Sequence, residues 1–379
     1  MAARFPRVVA HALLVVASML RPLVWSFKEG VPFICGRTWS RNARRPRRLS
    51  TPASASPSSE AAAPLFRFGL LTDVQFADIP DGAGFSGRPR YYRNSLVSLG
   101  LAVDDWRRSD VDFGVHLGDI LDGFCPRNQS AGALQRVLGE FDRFEGPVRH
   151  LLGNHCLYNL PREVLKQRLQ IVCPEAGCAY YSFTHKGVCF VALDGYDIAI
   201  EGWPEGHPKR KRAEKILGDC NPNRNQNNPS GLEGLMKRFV RFNGGVGNAQ
   251  LLWLGKVLRK ARSRGEKAVV LAHQPLHPDA SNPVCLLWNY EEVLDVLYQF
   301  QNTVVACFSG HAHRGGYAFD RGIHHRVVEA VLETPPGTDA HGVVEVYTDR
   351  LEIRGKGAVQ SAVLPFHRKA AELDSYSQS

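Results

Sequence analysis

The chain has no apolar run long enough to cross a bilayer. The best candidate, Val8 to Leu20, covers 13 residues and is broken by His11, against the roughly 20 that a spanning helix needs. No stable membrane anchor is therefore expected. Charge is also scarce where a polyanion would need it. Of the formal +10, residues 1–64 carry +8, from ten Lys/Arg against Glu29 and Glu60, which leaves +2 for the other 315 residues. A nucleic-acid groove is built from a dense basic face, so no nucleic-acid partner is expected. There is no cysteine framework either. The nine cysteines are an odd number, and Cys173 and Cys178 have no second pair at zinc spacing. That pattern excludes a thiolate-rich zinc site and reads as reduced thiols. No internal repeat is present.

Residues 1–64 contain no Asp, are rich in Arg, Ser, Ala and Pro, and end in the low-complexity run Ser50 to Pro64. This is the acid-poor pattern of an organellar transit peptide. A chloroplast or mitochondrial destination is expected if the segment acts in that way, and a cytoplasmic one otherwise. A secretory signal and an inert extension are the alternatives. A folded domain is expected over 65–368, followed by a flexible tail, 369–379.

The domain alternates strand and helix patterns. Phe66 to Leu71 reads as a strand, and a Gly/Pro-rich loop (Asp81 to Arg90) leads into Tyr91–Trp106, where Leu96, Leu99, Val103 and Trp106 have helical spacing. Val111 to Leu117 and Val148 to Leu152 are strands on either side of a helix over Ala131–Phe144. Ala179–Phe183 and Val188–Leu193 form an antiparallel pair turning at Lys186-Gly187. Asp194 to Gly247 shows little periodicity, although it holds the basic run Lys209 to Lys215. Helices over 249–262 and 290–300 alternate with strands over 268–271 and 303–308, and the chain is β-like from Val327 onward. These elements predict an α/β (mixed α+β) chain with two packed sheets flanked by helices.

Five of the strands end in metal-ligand chemistry. Phe66 to Leu71 delivers Asp73 and Gln75, and Val111 to Leu117 delivers Asp119 within Gly118-Asp119-Ile120-Leu121-Asp122-Gly123. Val148 to Leu152 delivers Asn154 and His155. His273 comes directly after the fourth strand, and Gly310-His311-Ala312-His313 after the fifth. Imidazole and carboxylate are the commonest side chains for first-row divalent ions, and sites in α/β sheets form beyond strand carboxyl ends.

The ordered set Asp-x-Gln, Gly-Asp-x-x-Asp-Gly, Gly-Asn-His, a lone His and Gly-His-x-His resembles the calcineurin-like metallophosphoesterase superfamily from Phe66 to Tyr347. The resemblance implies a four-layer α-β-β-α sandwich of two mixed sheets with a dinuclear metal site at the strand ends. Asp119 would bridge the ions, with Asp73, Gln75 and His313 on one and Asn154, His273 and His311 on the other. A hydroxide between them would attack a phosphate ester or anhydride. His155 would be catalytic, stabilising the oxyanion or protonating the leaving group, and Asp122 would orient it.

Gln75 departs from the superfamily's commoner histidine. A neutral, hard amide oxygen there favours Mn²⁺, with Mg, Zn or Fe as the other candidate ions. The strings Leu193-Asp194-Gly195-Tyr196-Asp197, Arg241-Phe242-Asn243-Gly244-Gly245 and Cys285-Leu286-Leu287-Trp288-Asn289-Tyr290 resemble the manganese-dependent ADP-ribose/CDP-alcohol diphosphatases. That resemblance implies hydrolysis of the phosphoanhydride of ADP-ribose, CDP-choline or CDP-glycerol, with a small nucleoside diphosphate-linked molecule as the partner; a monomer is expected. Phe85 as a base-stacking ring, Asn243 with its glycines as a phosphate-binding turn, and Cys285 on the pocket wall are the expected substrate contacts. Another metallophosphoesterase activity, on a phosphomonoester, phosphodiester or nucleic acid, is the alternative. A non-catalytic scaffold is disfavoured, since every expected ligand position holds a suitable side chain.

Overall fold

The computed structural model describes residues 63–84, 87–174 and 177–366. Phe85, almost all of the 1–64 segment and the 369–379 tail lie outside the described residues. Strand β1 (Phe66–Leu71) leads through a small hairpin, β2 (Gly82–Ala83) and β3 (Pro89–Arg90), to helix α1 (Asn94–Arg108). Then come β4 (Phe113–His116), α2 (Ser130–Phe141), β5 (Val148–His150) and the short helices α3 (Asn154–Asn159) and α4 (Arg162–Arg168). The hairpin β6 (Tyr181–His185) and β7 (Val188–Ala192) precedes α5 (Pro208–Cys220), α6 (Asn248–Ser263), β8 (Lys267–Ala272), α7 (Tyr290–Tyr298) and β9 (Val304–Ser309). The chain ends in β10 (Gly316–Asp320), β11 (Ile323–Val327), β12 (Ala340–Val346), β13 (Arg350–Gly357) and β14 (Ala362–Pro365).

Two mixed sheets result, in the orders β14-β13-β12-β1-β4-β5 and β10-β11-β9-β8-β7-β6. Their facing sides meet through aromatic rings. Phe68 of β1 lies 5.4 Å from Phe190 of β7 and 6.3 Å from Phe308 of β9, both edge-on. Edge-on rings add directional attraction to the burial of apolar area. On the outer side of the first sheet, Trp106 of α1 rests directly on two glycines. A Cβ at Gly69 would stand 2.2 Å from the indole, and one at Gly114 would stand 2.7 Å from it. Glycine at both positions is thus what lets the helix lie close to the sheet. The far side of the second sheet buries Leu254, Leu258, Val293 and Leu297 of α6 and α7.

Two expectations change. The stretch Asp194 to Gly247 contains a regular helix, α5, and the basic run lies on it. Pro208 at the first turn and the His207 side chain accepting from Lys209 N–H start that helix. Ala213, Ile216, Leu217 and Cys220 form one buried stripe. The stripe is hard to see because seven of the helix's thirteen positions are Lys, Arg, Glu or Asp. The terminal β region also begins well before Val327. All five residues of Ile-His-His-Arg-Val in β11 are buried despite their polarity, so hydropathy alone hid the strand.

β1, β4 and β5 run parallel, as do β7, β8, β9 and β11. The carboxyl ends of β1, β4 and β5 in one sheet and of β8 and β9 in the other open on the same loop cluster.

Candidate metal centre

Five turns converge there. Among the described residues, nine non-glycine residues have a left-handed backbone, and five of them are expected ligands: Asp73 (φ 52°), Gln75 (44°), Asp119 (58°), His311 (64°) and His313 (58°). Each such residue costs about 1–3 kcal/mol relative to an ordinary conformation. The strain persists because neighbouring backbone overdetermines it. Asp73 N–H donates to Gly118 O, Gln75 N–H to Asp119 O, and Leu332 N–H to Asp73 O. The glycine before Asn154 is also required, since a Cβ at Gly153 would stand 2.0 Å from Asp119 Oδ1.

Asp119 belongs to both halves of the cluster. Its Oδ1 accepts from His155 N–H at 2.8 Å, while Oδ2 faces His273 Nε2 at 3.2 Å and Gln75 Nε2 at 3.3 Å. Asp119, His273 and His311 bring their ligand atoms within 4.8 Å of one another. On the other side, Asp73 Oδ1 lies 3.4 Å from His313 Nε2 and 3.1 Å from Gln75 Nε2. Asn154 is tied in by Tyr196, whose hydroxyl donates to Asn154 Oδ1 at 3.2 Å.

Every histidine of the cluster has one nitrogen held from behind. His273 Nδ1 meets Leu117 O at 2.9 Å, His313 Nδ1 meets Glu333 Oε1 at 2.9 Å, and His311 Nε2 meets Asn243 Oδ1 at 2.7 Å. The other nitrogen of each is left for the centre, which is the usual way a protein sets the tautomer of a ligating imidazole. His273 Nε2 and Gln75 Oε1 are buried without a hydrogen-bond partner. The Gln75 amide turns its nitrogen toward Asp73, Asp119 and His313, and a half-turn of the amide exchanges nitrogen for oxygen at the same spot.

The electrostatics demand positive charge at this point. Burial opposes ionisation of Asp73, but His313, through hydrogen bond and charge, then His273 and the Thr72 hydroxyl, hold it well below the usual carboxylate range. For Asp119, burial is likewise outweighed by the charges of His273 and His155. Against its own burial, His313 is pushed up to about 9 by Asp73 and Glu333. His311 goes down to about 3, through burial and the charge of His273. An oxygen- and imidazole-rich set with buried carboxylates, two orphaned polar atoms and no thiolate fits hard-to-borderline divalent ions.

His155 stands beside this cluster. Its Nδ1 accepts from Gly123 N–H at 2.7 Å and lies 3.4 Å from Asp122 Oδ2. Asp122 is fully buried and held by Phe124 N–H at 2.7 Å and Arg90 at 3.1 Å. The tightest contact of the ring is thus the backbone N–H, where a carboxylate was expected.

Asn243 is placed differently from the phosphate-binding expectation. Its amide nitrogen donates to the carbonyls of Arg238, Val284 and Leu286 and its oxygen holds His311. Gly245 N–H donates to Ile198 O, and Gly244 N–H reaches Gln274 Oε1 at 2.8 Å with that amide correctly turned. Those amides are committed inside the protein, so Asn243 positions His311 instead of meeting a phosphate. Cys285 lies at the end of a short 3₁₀ turn, half-buried, its thiol pushed up to about 12 by burial and by the nearby Asp73.

Sequence reasoning missed Glu333. It sits in an irregular stretch far from any motif, and only the fold sets it against His313, with Arg88 on its other oxygen at 2.5 Å. Glu333→Gln is expected to weaken binding of the ion that His313 would help to hold by about tenfold or more. Calorimetric titration with Mn²⁺ checks this, and an unchanged affinity would remove the role.

Two mixed sheets with carboxylate, amide and imidazole side chains gathered at their strand ends define a metallophosphoesterase, a hydrolase. The known proteins agree. The calcineurin-like phosphoesterase family model matches residues 66–315. The protein of Arabidopsis thaliana named manganese-dependent ADP-ribose/CDP-alcohol diphosphatase is 47% identical over 306 residues, 80% of this chain and 98% of that one. Its Homo sapiens namesake is 40% identical, over 84% of this chain and 97% of its own. The crystal structure of a dimetal phosphatase from Danio rerio superposes with a TM-score of 0.78 at 39% identity, covering 80% of this chain and all of that one. The chain belongs to the calcineurin-like phosphoesterase family, and within it to the group named for manganese-dependent ADP-ribose/CDP-alcohol diphosphatase activity.

Proposed function

We propose that the protein acts, as a monomer, on the phosphoanhydride of small nucleoside diphosphate-linked molecules. ADP-ribose would give AMP and ribose 5-phosphate, and CDP-alcohols such as CDP-choline and CDP-glycerol would give CMP and a phospho-alcohol. The observation that carries this reading is the convergence of six ligand-type side chains, Asp73, Gln75, Asp119, His273, His311 and His313, on one point, five of them on left-handed backbone. The shared name of the relatives supplies the substrate class. Asp73, Gln75, Asp119 and His313 would hold one divalent ion, and Asp119, Asn154, His273 and His311 the other, manganese fitting best. Divalent ions held by these residues would supply a nucleophile from water at neutral pH and neutralise the phosphoryl oxygens. His155, with Nδ1 held by Gly123 N–H, keeps its proton on Nε2 and donates it as a hydrogen bond to a phosphoryl oxygen. Asp122, with Oδ2 3.4 Å from His155 Nδ1 and Oδ1 accepting from Phe124 N–H, would orient that ring and hold its loop.

The test is a panel of ADP-ribose, CDP-choline and CDP-glycerol offered to metal-depleted protein with Mn²⁺ or Mg²⁺ restored, following AMP and CMP release. Turnover is expected only after metal is restored, and faster with Mn²⁺. Full activity in the depleted protein, or no nucleotide from any of the three, sinks the proposal.

We further propose that residues 1–64 are a targeting segment without a catalytic part. The Arabidopsis relative is matched over almost its whole length while a fifth of this chain stays unmatched. A version beginning at Pro64 is expected to keep the full-length rate and manganese dependence. A large loss of rate with an intact circular dichroism spectrum would contradict this. Fusion of residues 1–64 to a fluorescent protein is expected to reach an organelle, and a diffuse cytosolic signal would withdraw the targeting role.

A further inference from the structure

A cavity of about 550 Å³ is walled by the α3–α4 segment and the stretch from Ile200 to Arg210, and it is joined to the metal centre through α3. The short helix α3 connects the two. Asn154 at its start is one of the expected ligands, and Tyr158, one turn or about 6 Å further, lines the cavity. The two side chains touch, Asn154 Nδ2 donating to Tyr158 Oη at 3.3 Å.

Arg241 ties a wall of the cavity to the loop that supports the centre. It is two residues from Asn243, the support of His311, and Phe242 between them has its ring 5.9 Å from the His311 ring. Its guanidinium Nε is fixed by Glu201, a wall residue of the cavity, at 2.8 Å, and the side chain is 44% exposed. The charges of Glu201 and Arg241 both act on the Tyr158 phenol. No other hydrogen bond of the Arg241 side chain is found among the described residues, so its two terminal nitrogens keep the fork geometry suited to phosphate.

The cavity walls indicate which group would sit beyond that phosphate. A nucleobase needs an open aromatic face, and the Trp203 ring offers none. His207 stacks on it at 4.3 Å and 10°, the Arg162 guanidinium lies 4.3 Å from its centre, and the residue is only 9% exposed. What remains is a mixed lining of Leu160, Tyr158 and the edge of Trp203 with polar groups of Glu163 and Arg210 at hand. Hydroxylated or amino-alcohol groups suit such a surface better than a flat base.

We propose that Arg241 holds the phosphate next to the one attacked, and that this cavity receives the sugar or alcohol which that phosphate carries. The inference rests on the diphosphatase reading above and adds a site for the non-nucleoside half of the substrate.

Three variants of the full-length, manganese-loaded enzyme test it: Arg241→Ala, Leu160→Trp, which fills the cavity, and Glu163→Trp, which narrows it from an exposed position. The probes are ADP-ribose, CDP-choline and thymidine p-nitrophenyl phosphate, which has neither a second phosphate nor a sugar beyond it. Arg241→Ala is expected to lower kcat/KM for both diphosphates about 10- to 100-fold relative to the nitrophenyl ester, the range for one lost charge-assisted hydrogen bond. Leu160→Trp and Glu163→Trp are expected to raise KM for ADP-ribose about tenfold or more, with the ratio to the nitrophenyl ester falling in step. If all three variants, with wild-type circular dichroism and manganese content, keep wild-type KM values and substrate ratios, the proposal is overturned. A wild-type enzyme that cleaves the nitrophenyl ester but neither diphosphate defeats the underlying functional reading instead.

Discussion

Asp119→Ala is expected to lower kcat/KM by about 10³-fold or more and to cut the bound manganese content by at least half. The carboxylate is the one side chain placed in both halves of the cluster, against His273 on one side and Gln75 on the other. On the ligand assignment proposed above, its loss would remove an anion shared by both ion positions, and several kcal/mol of transition-state stabilisation would go with it, each 1.36 kcal/mol being about tenfold in rate. It also frees His155 N–H and Cys156 N–H, which both donate to Oδ1. Asp119→Asn separates the two effects, because its amide oxygen can still accept from those groups while the charge is gone. Metal analysis by mass spectrometry alongside initial rates reads both variants. An alanine variant with full metal content and a near-normal rate would show that the ligands have been assigned to the wrong residues.

Changing His155 to Ala or Gln is expected to lower kcat by roughly 10²–10⁴-fold, the span for losing an acid–base group or an oxyanion donor. Metal content should stay the same, since His155 meets Asp119 through its backbone N–H, which both variants keep. The leaving group tells the two roles apart. With Gly123 N–H at Nδ1, the neutral ring carries a single proton, on Nε2, and acts as a donor to phosphoryl oxygen. Nitrophenyl and diphosphate substrates should then lose similar factors. A loss confined to the diphosphates, whose leaving groups need a proton more, would mean that the imidazolium form reacts, with Nδ1–H turned to Asp122. Asp122→Asn should show a weaker version of the same pattern. Loss of manganese in the His155 variants would move this residue among the ligands and end the catalytic assignment.

Most of the centre could be read from the chain because its chemistry is tied to strand ends. Asp73, Asp119, Asn154, His273 and His311 each come a few residues after an apolar run. Parallel strands deliver the residues after them to one shared edge of the sheet. The four layers were equally legible, since helix and strand periods alternate cleanly through β1, α1, β4, α2 and β5. The helical stripe of α5 was hidden under its own charges, and β11 was hidden because its buried residues are His-His-Arg.

What the sequence settled by itself is which residue types follow the strand ends, and the order of those motifs carries the resemblance to the metallophosphoesterases. Those facts depend on local order along the chain. Only the tertiary structure decided which residues stand behind the ligands. Glu333 meets His313 across 20 residues, Asn243 meets His311 across 68 and Arg90 meets Asp122 across 32. None of these supports has a spacing or a period, because each contact is made between separate loops after the sheets have packed. The same is true of the committed amides of Gly244 and Gly245 and of the backbone N–H that holds His155. An Asn-Gly-Gly turn has one chemistry in isolation and another once Ile198, Gln274 and His311 have claimed its donors and acceptors. Ligand identity travels with the residue type, whereas the hydrogen bonds that fix a ligand's tautomer belong to whichever neighbour the fold brings within about 3 Å.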